Sequence, residues 1–221
     1  MFKYISSVIV ALILSVSLLM TNPASAGFEE LEPGLILMEG TLYMDEFGEF
    51  YKMTMDPKIR HYKILIHSPG GAAMTTIAVM NRIFEMKSRG ITFETETYGF
   101  CSSAGSFLFL MGDKRTAHAE TVFMWHTMQM AMGQWKWETL PDNVRAFLKS
   151  LDDRVVQLFR DVTGASEEVV QTLFYNKKID AYYITASKMD ALSVIAVTHF
   201  VDNKKATVKV SAPKISRRDN H

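Results

Sequence analysis

Residues 99–105 read Gly-Phe-Cys-Ser-Ser-Ala-Gly, and the fold follows from what stands on either side of them. Ile91–Tyr98 is patterned as a β-strand, and Ser106–Met111 is an apolar helical run. Small residues between a strand and a helix let the backbone turn sharply and hold a side chain at the helix N-terminus. Free N–H groups and the helix dipole at that point favour developing negative charge, which is the setting a serine nucleophile needs. Taken alone, the seven residues also describe a polar-capped turn, since serine is a preferred N-cap. The surrounding chain separates the two readings.

Upstream, Gly34–Leu42 reads as a first strand, and Phe47, Phe50, Tyr51 and Thr54 recur at helical spacing in a stretch weakened by Gly48. Tyr62–His67 is a short apolar strand that runs into Ser68-Pro69-Gly70-Gly71. Ala73–Ser88 predicts a helix with Met74, Ile77, Ala78 and Phe84 as its apolar positions, closed by Gly90. Downstream, Gly112-Asp113-Lys114-Arg115 breaks the helix after the turn, and Thr121–Trp125 predicts a strand that delivers His126. Strand and helix in alternation specify an α/β fold with a parallel sheet. Such sheets gather their sites at the carboxyl ends of strands, so Gly70, Gly71, Ser103 and His126 are expected on one edge.

The later chain is mostly helical. Val144, Phe147, Leu148, Leu151, Val155, Leu158, Phe159 and Val162 keep a 3–4 spacing that Gly164 ends, and Ser166-Glu167-Glu168 opens another helix. The stripe fits an internal core face or an oligomer contact. Asp180 precedes Tyr182, Tyr183 and a helix capped by Thr185, and the stretch 203–221, with six basic residues, reads as a solvated tail.

The chain has 221 residues, 48% hydrophobic and 22% charged, enough for one domain with a sizeable core. Residues 1–26 differ in kind: Lys3, an apolar run from Val8 to Met20, then Ala24-Ser25-Ala26, the pattern of a secretory signal peptide cleaved after Ala26. The expectation is an exported, periplasmic protein. Retention of the segment as an N-terminal membrane anchor is the alternative. Loss of these residues removes Lys3 alone from the charge count and leaves a net charge of −1, which argues against a nucleic-acid partner. Cys101 is the single cysteine, so no internal disulfide forms, and it reads as a core residue. Neither that cysteine nor the His118–His126 spacing makes a metal site.

Three motifs in order, Ser68-Pro69-Gly70-Gly71, Gly99-x-x-x-Ser103-x-Gly105 and Met124-Trp125-His126, with Lys114-Arg115 before the last, resemble the proteolytic subunit of Clp protease in the crotonase-like superfamily. Order, spacing and elements agree over residues 62–128, and a looser match runs to about Asp202, which makes 27–202 the domain. Export and the Cys-x-Ser-Ala form of the turn make the chain similar to the periplasmic branch of Clp-like proteins. The resemblance implies a crotonase-like α/β fold of repeated β-β-α units, with a parallel sheet and a helical C-terminal part. It implies Ser103 as nucleophile, His126 as general base and Asp180 as the carboxylate that orients the imidazole. Gly71 and Ala104 would supply the oxyanion-hole N–H groups, and Gly70, Thr127 and Met128 would border the substrate. No cofactor or metal is implied. Ser102 is then a turn residue, His67 and His118 are structural or surface residues, and Asp190 and Asp202 compete with Asp180.

The chain departs from the family where His126 is followed by Thr127-Met128 rather than Gln-Pro, and where no clear Gly-rich strand precedes the long helix. Met128–Glu138 instead offers methionines and Trp135-Lys136-Trp137, suited to packing or to an added peptide strand. The reading is an exported serine peptidase without an ATPase partner, taking peptides or unfolded proteins, and homo-oligomeric. Alternatives are a catalytically silent peptide-binding or assembly protein, and a Ser–Lys dyad with Lys149 or Lys177 as base. A crotonase-like acyl-CoA enzyme shares the fold, but acyl-CoA is not expected outside the cytoplasm.

Overall fold

In His61–Gly71 (β3) buried and open positions alternate, so Tyr62, Ile64 and Ile66 line a core face while Lys63 and His67 point the other way. This strand is the middle of a sheet in a computed structural model that describes residues 27–127, 137–175, 182–191, 199–201 and 208–210. Gly27–Glu32 (β1) pairs antiparallel with Leu35–Leu42 (β2), and β2, β3 and Thr92–Ser102 (β4) run parallel. Lys114–His118 (β5) lies parallel to β4 along Glu94–Thr97, and His199–Val201 (β8) lies parallel to β5. Val208–Val210 (β9) closes that edge antiparallel to β8.

The sheet forks at β4. Val122–Trp125 (β6) runs parallel to the last residues of β4, with Ser102 opposite Met124, and Tyr182–Thr185 (β7) returns antiparallel to β6. The fork matters for the site, because the residues that leave β4 and β6 emerge side by side.

Helices occupy Glu46–Met53 (α1), Ala73–Ser88 (α2), Ala104–Leu110 (α3), Asp142–Thr163 (α4), Glu167–Phe174 (α5) and Ala186–Ala191 (α6). The result is a mixed α/β fold with a largely parallel sheet, as the turn and the strand–helix alternation specify. The long stripe of α4 turns Leu148, Leu151, Val155, Val156 and Phe159 into the core, while Phe147 stays half exposed. An aromatic cluster ties α3, β6, α4 and α5 together. Trp125 meets Phe107 at 5.7 Å, Phe159 at 4.8 Å and Phe174 at 6.0 Å between ring centroids, contacts that add to the burial of area.

Several expectations need correction. In α2 the buried face is Thr75, Thr76, Val79, Met80, Ile83 and Met86, whereas Met74 and Phe84 are 50% and 48% exposed. The helix is apolar on more than one side. On the buried side the threonines meet their bonding needs inside the protein, Thr75 Oγ1 donating to the Met44 carbonyl and Thr76 Oγ1 to that of Ala72. Strand β5 was not expected, because its core-facing positions are Arg115 and Ala117 rather than large apolar residues. β1 was missed for a related reason, four of its six residues being exposed. Ser68–Gly71 continues β3 instead of leaving it as a turn, and α3 begins two residues earlier than the apolar run. Val208–Val210 is a strand within the stretch expected to be tail, its alternation of valine and lysine suiting an edge.

A Cβ built at Gly48 in α1 meets nothing within 4 Å. Gly48→Ala should therefore stabilise the protein by about 0.5–1 kcal/mol through helix propensity alone. A small rise in Tm measures it, and a fall would mean that the helix needs the flexibility.

Candidate active site

The strand-to-helix turn is built around one strained residue. Ser103 has φ 51° and ψ −118°, and among the described residues it is the sole non-glycine with positive φ. Such a conformation costs on the order of 1–3 kcal/mol and persists where the surroundings over-determine it. Here they do. The Ser103 N–H donates to the Met124 carbonyl at 2.9 Å, its own carbonyl accepts from the Phe107 N–H, and Ser106 Oγ donates to the carbonyls of Cys101 and Met124. These bonds clamp the turn to β6.

Because β6 lies against the end of β4, His126 follows Trp125 directly beside the turn. Its Nε2 is 2.6 Å from Ser103 Oγ, within the range for a strong O–H···N contact. Burial pushes the His126 pKa below the ordinary imidazole value, and the Thr127 backbone, an acceptor for the charged ring, opposes this in part. The neutral ring is thus the favoured form, the one able to take a proton. Its Nδ1 is buried without a hydrogen-bond partner among the described residues. A buried polar atom of this kind calls for an acceptor.

Ser102 contrasts with its neighbour. Its hydroxyl is buried and also unpartnered among the described residues, but the structure puts Ser103, not Ser102, against an imidazole. Cys101 is fully buried, and burial drives its thiol pKa upward, the reverse of a reactive thiol.

Gly70 and Gly71 end β3 against the same turn. A Cβ on Gly70 would stand 2.6 Å from Ser103 Cβ and 3.0 Å from Ala104 N, and one on Gly71 would stand 2.1 Å from the Leu42 carbonyl oxygen. The Gly70 N–H is taken by Ser68 Oγ at 3.0 Å, which leaves Gly71 as the residue of the pair to face the cleft. Ala104 stands at the first position of α3, where a backbone N–H has no acceptor inside the helix. Gly71, Ala73, Thr76, Ser103, Ala104, Phe107, His126 and Thr127 line one cleft of ≈ 40 Å³.

Of the expected site residues, the structure therefore gathers Ser103, His126, Gly71, Ala104, Gly70 and Thr127. Asp180 and Met128 lie outside the described residues, as do most of the Met128–Glu138 strip and Lys177. Lys149 is exposed and held by Asp153 at 2.8 Å, which raises its pKa, where a base lysine needs it lowered. His118 is engaged with Glu96 at 3.1 Å and stacked on Tyr98, and His67 Nδ1 accepts from the Phe100 N–H. Among the described residues no cluster of three or more His, Cys, Asp or Glu is placed to hold a metal ion.

Ser106, Ala73, Thr76 and Phe107 were not expected at the site. The signal for three of them was available, since Ala73 and Thr76 share a helix face by their spacing and Phe107 sits one turn after Ser103.

A family model described as Clp protease matches residues 51–192, well over half of the chain and the whole of the cleft just described. No curated protein matches the chain.

Proposed function

The chain belongs to the Clp protease family, and from that premise we propose that it is a serine-type peptidase whose nucleophile is Ser103 and whose base is His126. The observation that carries the reading is the 2.6 Å contact between Ser103 Oγ and Nε2 of the half-buried His126 at a strained turn. In the proposed reaction His126 Nε2 takes the hydroxyl proton as Oγ attacks the substrate carbonyl. The carbonyl oxygen becomes an oxyanion held by the N–H groups of Gly71 and Ala104. His126 then gives the proton to the departing amine, and water, deprotonated by the same imidazole, releases the acyl group and restores Ser103.

Asp180 is the proposed acceptor for His126 Nδ1. Two facts support it: Nδ1 has no partner among the described residues, and β7, which starts two residues after Asp180, sets Tyr182 opposite Trp125. A carboxylate there would fix the tautomer and stabilise the imidazolium.

The pH dependence tests this assignment. Only neutral imidazole accepts the proton, so activity is full above the His126 pKa and falls as pH drops through it. Burial holds that pKa low, and the acid limb of kcat/KM should lie below neutral pH. A carboxylate partner raises an imidazole pKa, so Asp180→Asn should move the limb further down. An unmoved limb removes Asp180 from the role.

Residues 1–26 are proposed to be a secretory signal, which sends the enzyme outside the cytoplasm, away from ATP and any ATP-driven partner. Gly27, the first residue after the expected cleavage point, already pairs with Glu39 in the sheet. Among the described residues no helix is long and apolar enough to cross a membrane. Members of the family generally bind peptide substrates and form oligomers, and a homo-oligomer is proposed here.

The direct test is intact-mass labelling of the full chain with an alkyl fluorophosphonate. One adduct is expected on the parent and none on Ser103→Ala. A folded parent without an adduct would replace catalysis by peptide binding alone.

A further inference from the structure

Gly27 is buried at the start of β1, opposite Glu39 of β2, with φ at 118°. A Cβ there would overlap all three atoms of the Glu46 carboxylate, so the acid lies directly against the glycine Cα. By standard bond geometry the Gly27 nitrogen then stands within about 5 Å of both carboxylate oxygens. Glu46 Oε2 also accepts from the Phe28 N–H at 3.3 Å, and the Phe28 ring packs on Phe50 of α1 at 4.9 Å. The first turn of α1 is thereby held on β1.

This carboxylate lacks a cation. Among the described residues Glu46 takes part in no ion pair. The other charged residues of β1, β2 and α1 are Glu29, Glu30, Glu32, Glu39, Glu49 and Lys52, with Asp45 before the helix, and Lys52 is held by Glu49 at 2.7 Å. The helix dipole favours acids in this turn, but Asp45 and Glu49 serve it equally, and Glu46 alone leans onto Gly27. In the uncut chain the Gly27 nitrogen is a neutral amide. Hydrolysis of the 26–27 peptide bond by a signal-peptide hydrolase consumes one water and leaves a carboxylate on Ala26 and an amine on Gly27. At neutral pH that amine takes up a proton.

We propose that Glu46 is the receptor for the α-ammonium that removal of the leader creates at Gly27. This rests on the cleavage after Ala26 proposed above and is independent of the serine chemistry. Opposite charges at this separation favour each other's charged forms, so the joint between β1 and α1 gains an ion pair on processing. The segment it steadies borders the site. The Leu42 carbonyl accepts from the Ala72 N–H at 2.8 Å, and the Met44 carbonyl accepts from Thr75 Oγ1 at 3.2 Å. Processing thus braces the end of β2 that pairs with Gly71.

The full chain is expressed with its own leader, with glycine carrying carbon-13 at Cα, and recovered from the periplasm of a bacterial host. Intact mass should give a chain that begins at Gly27. The Gly27 Cα resonance then follows the ionisation of the amine as pH is varied. Glu46→Gln keeps the size of the side chain and an acceptor for the Phe28 N–H, and it should weaken the amine's hold on its proton about tenfold. Glu39→Gln, a change at an exposed acid across the sheet, should weaken it less. A chain that begins at Gly27 and whose amine titrates alike in the parent and Glu46→Gln would overturn the receptor and leave the cleavage reading standing. A chain that keeps the leader, or begins at another residue, would overturn both.

Discussion

Ser103→Ala and His126→Ala should each lower kcat by about 10⁴- to 10⁶-fold, with the double variant no slower than the slower single variant. The expectation follows from the two groups acting as one unit. Without the imidazole the hydroxyl keeps its proton, and without the hydroxyl the imidazole has nothing to activate. The fold should survive the first change, because alanine meets the same backbone strain at φ 51° as serine and the hydroxyl's bond is to His126. Steady-state kinetics on a peptide substrate, with circular dichroism as the check on folding, decides it. Near-full activity in His126→Ala would remove histidine as base, and a further tenfold loss in the double variant would show two independent contributions. Lys149 offers no substitute base, being exposed and paired with Asp153.

The gathering of these residues was legible in the sequence because each stands at or just past a strand end: Gly70 and Gly71 close β3, Ser103 follows β4 and His126 follows β6, and parallel sheets bring strand ends to one edge. Their convergence needs no long-range information beyond the order of elements. The fork in the sheet was not legible. Whether β6 lies beside β5 or beside the end of β4 depends on pairing that no local pattern encodes, yet it is this pairing, Ser102 opposite Met124, that puts His126 against Ser103.

The inward face of α2 was misread for a different reason. Met74, Ile77 and Phe84 are as apolar as the residues that are buried, and hydrophobicity alone could not rank the two sides. Thr75 and Thr76 are polar and stand outside the apolar positions of that helix, although a threonine that bonds a nearby carbonyl is readily buried. The same misreading hid Thr76 as a wall of the cleft. β5 escaped notice because Arg115 takes a core-facing position, its guanidinium donating to the Gly112 carbonyl. Where a polar side chain meets its bonding needs inside the protein, the pattern of burial stops following the pattern of hydrophobicity.

Gly70→Ala is expected to reduce kcat by at least about 10²-fold while leaving most of the fold in place. The added methyl would lie 2.6 Å from Ser103 Cβ, 2.8 Å from the Ser102 carbonyl oxygen and 3.0 Å from Ala104 N. Two of these neighbours are backbone atoms, so no side chain can swing away to relieve the contact. Gly70 is also held at φ +102°, a region alanine rarely adopts, and its N–H is tied to Ser68 Oγ, which in turn donates to the Gly40 carbonyl. The tie keeps β3 in place and drives the displacement into the turn, where the nucleophile and an oxyanion donor move together. A misplacement of about 1 Å costs on the order of 10²-fold, and a lost oxyanion donor costs about 10²- to 10³-fold. The loss should fall on kcat more than on KM, because the displaced groups act on the transition state. Gly48→Ala is the matching control, a methyl added in open space, and should leave kcat as it is. Unchanged activity in Gly70→Ala would mean that the turn can yield, and that Ser103 is not held by the rigid contact from which its reactivity is argued.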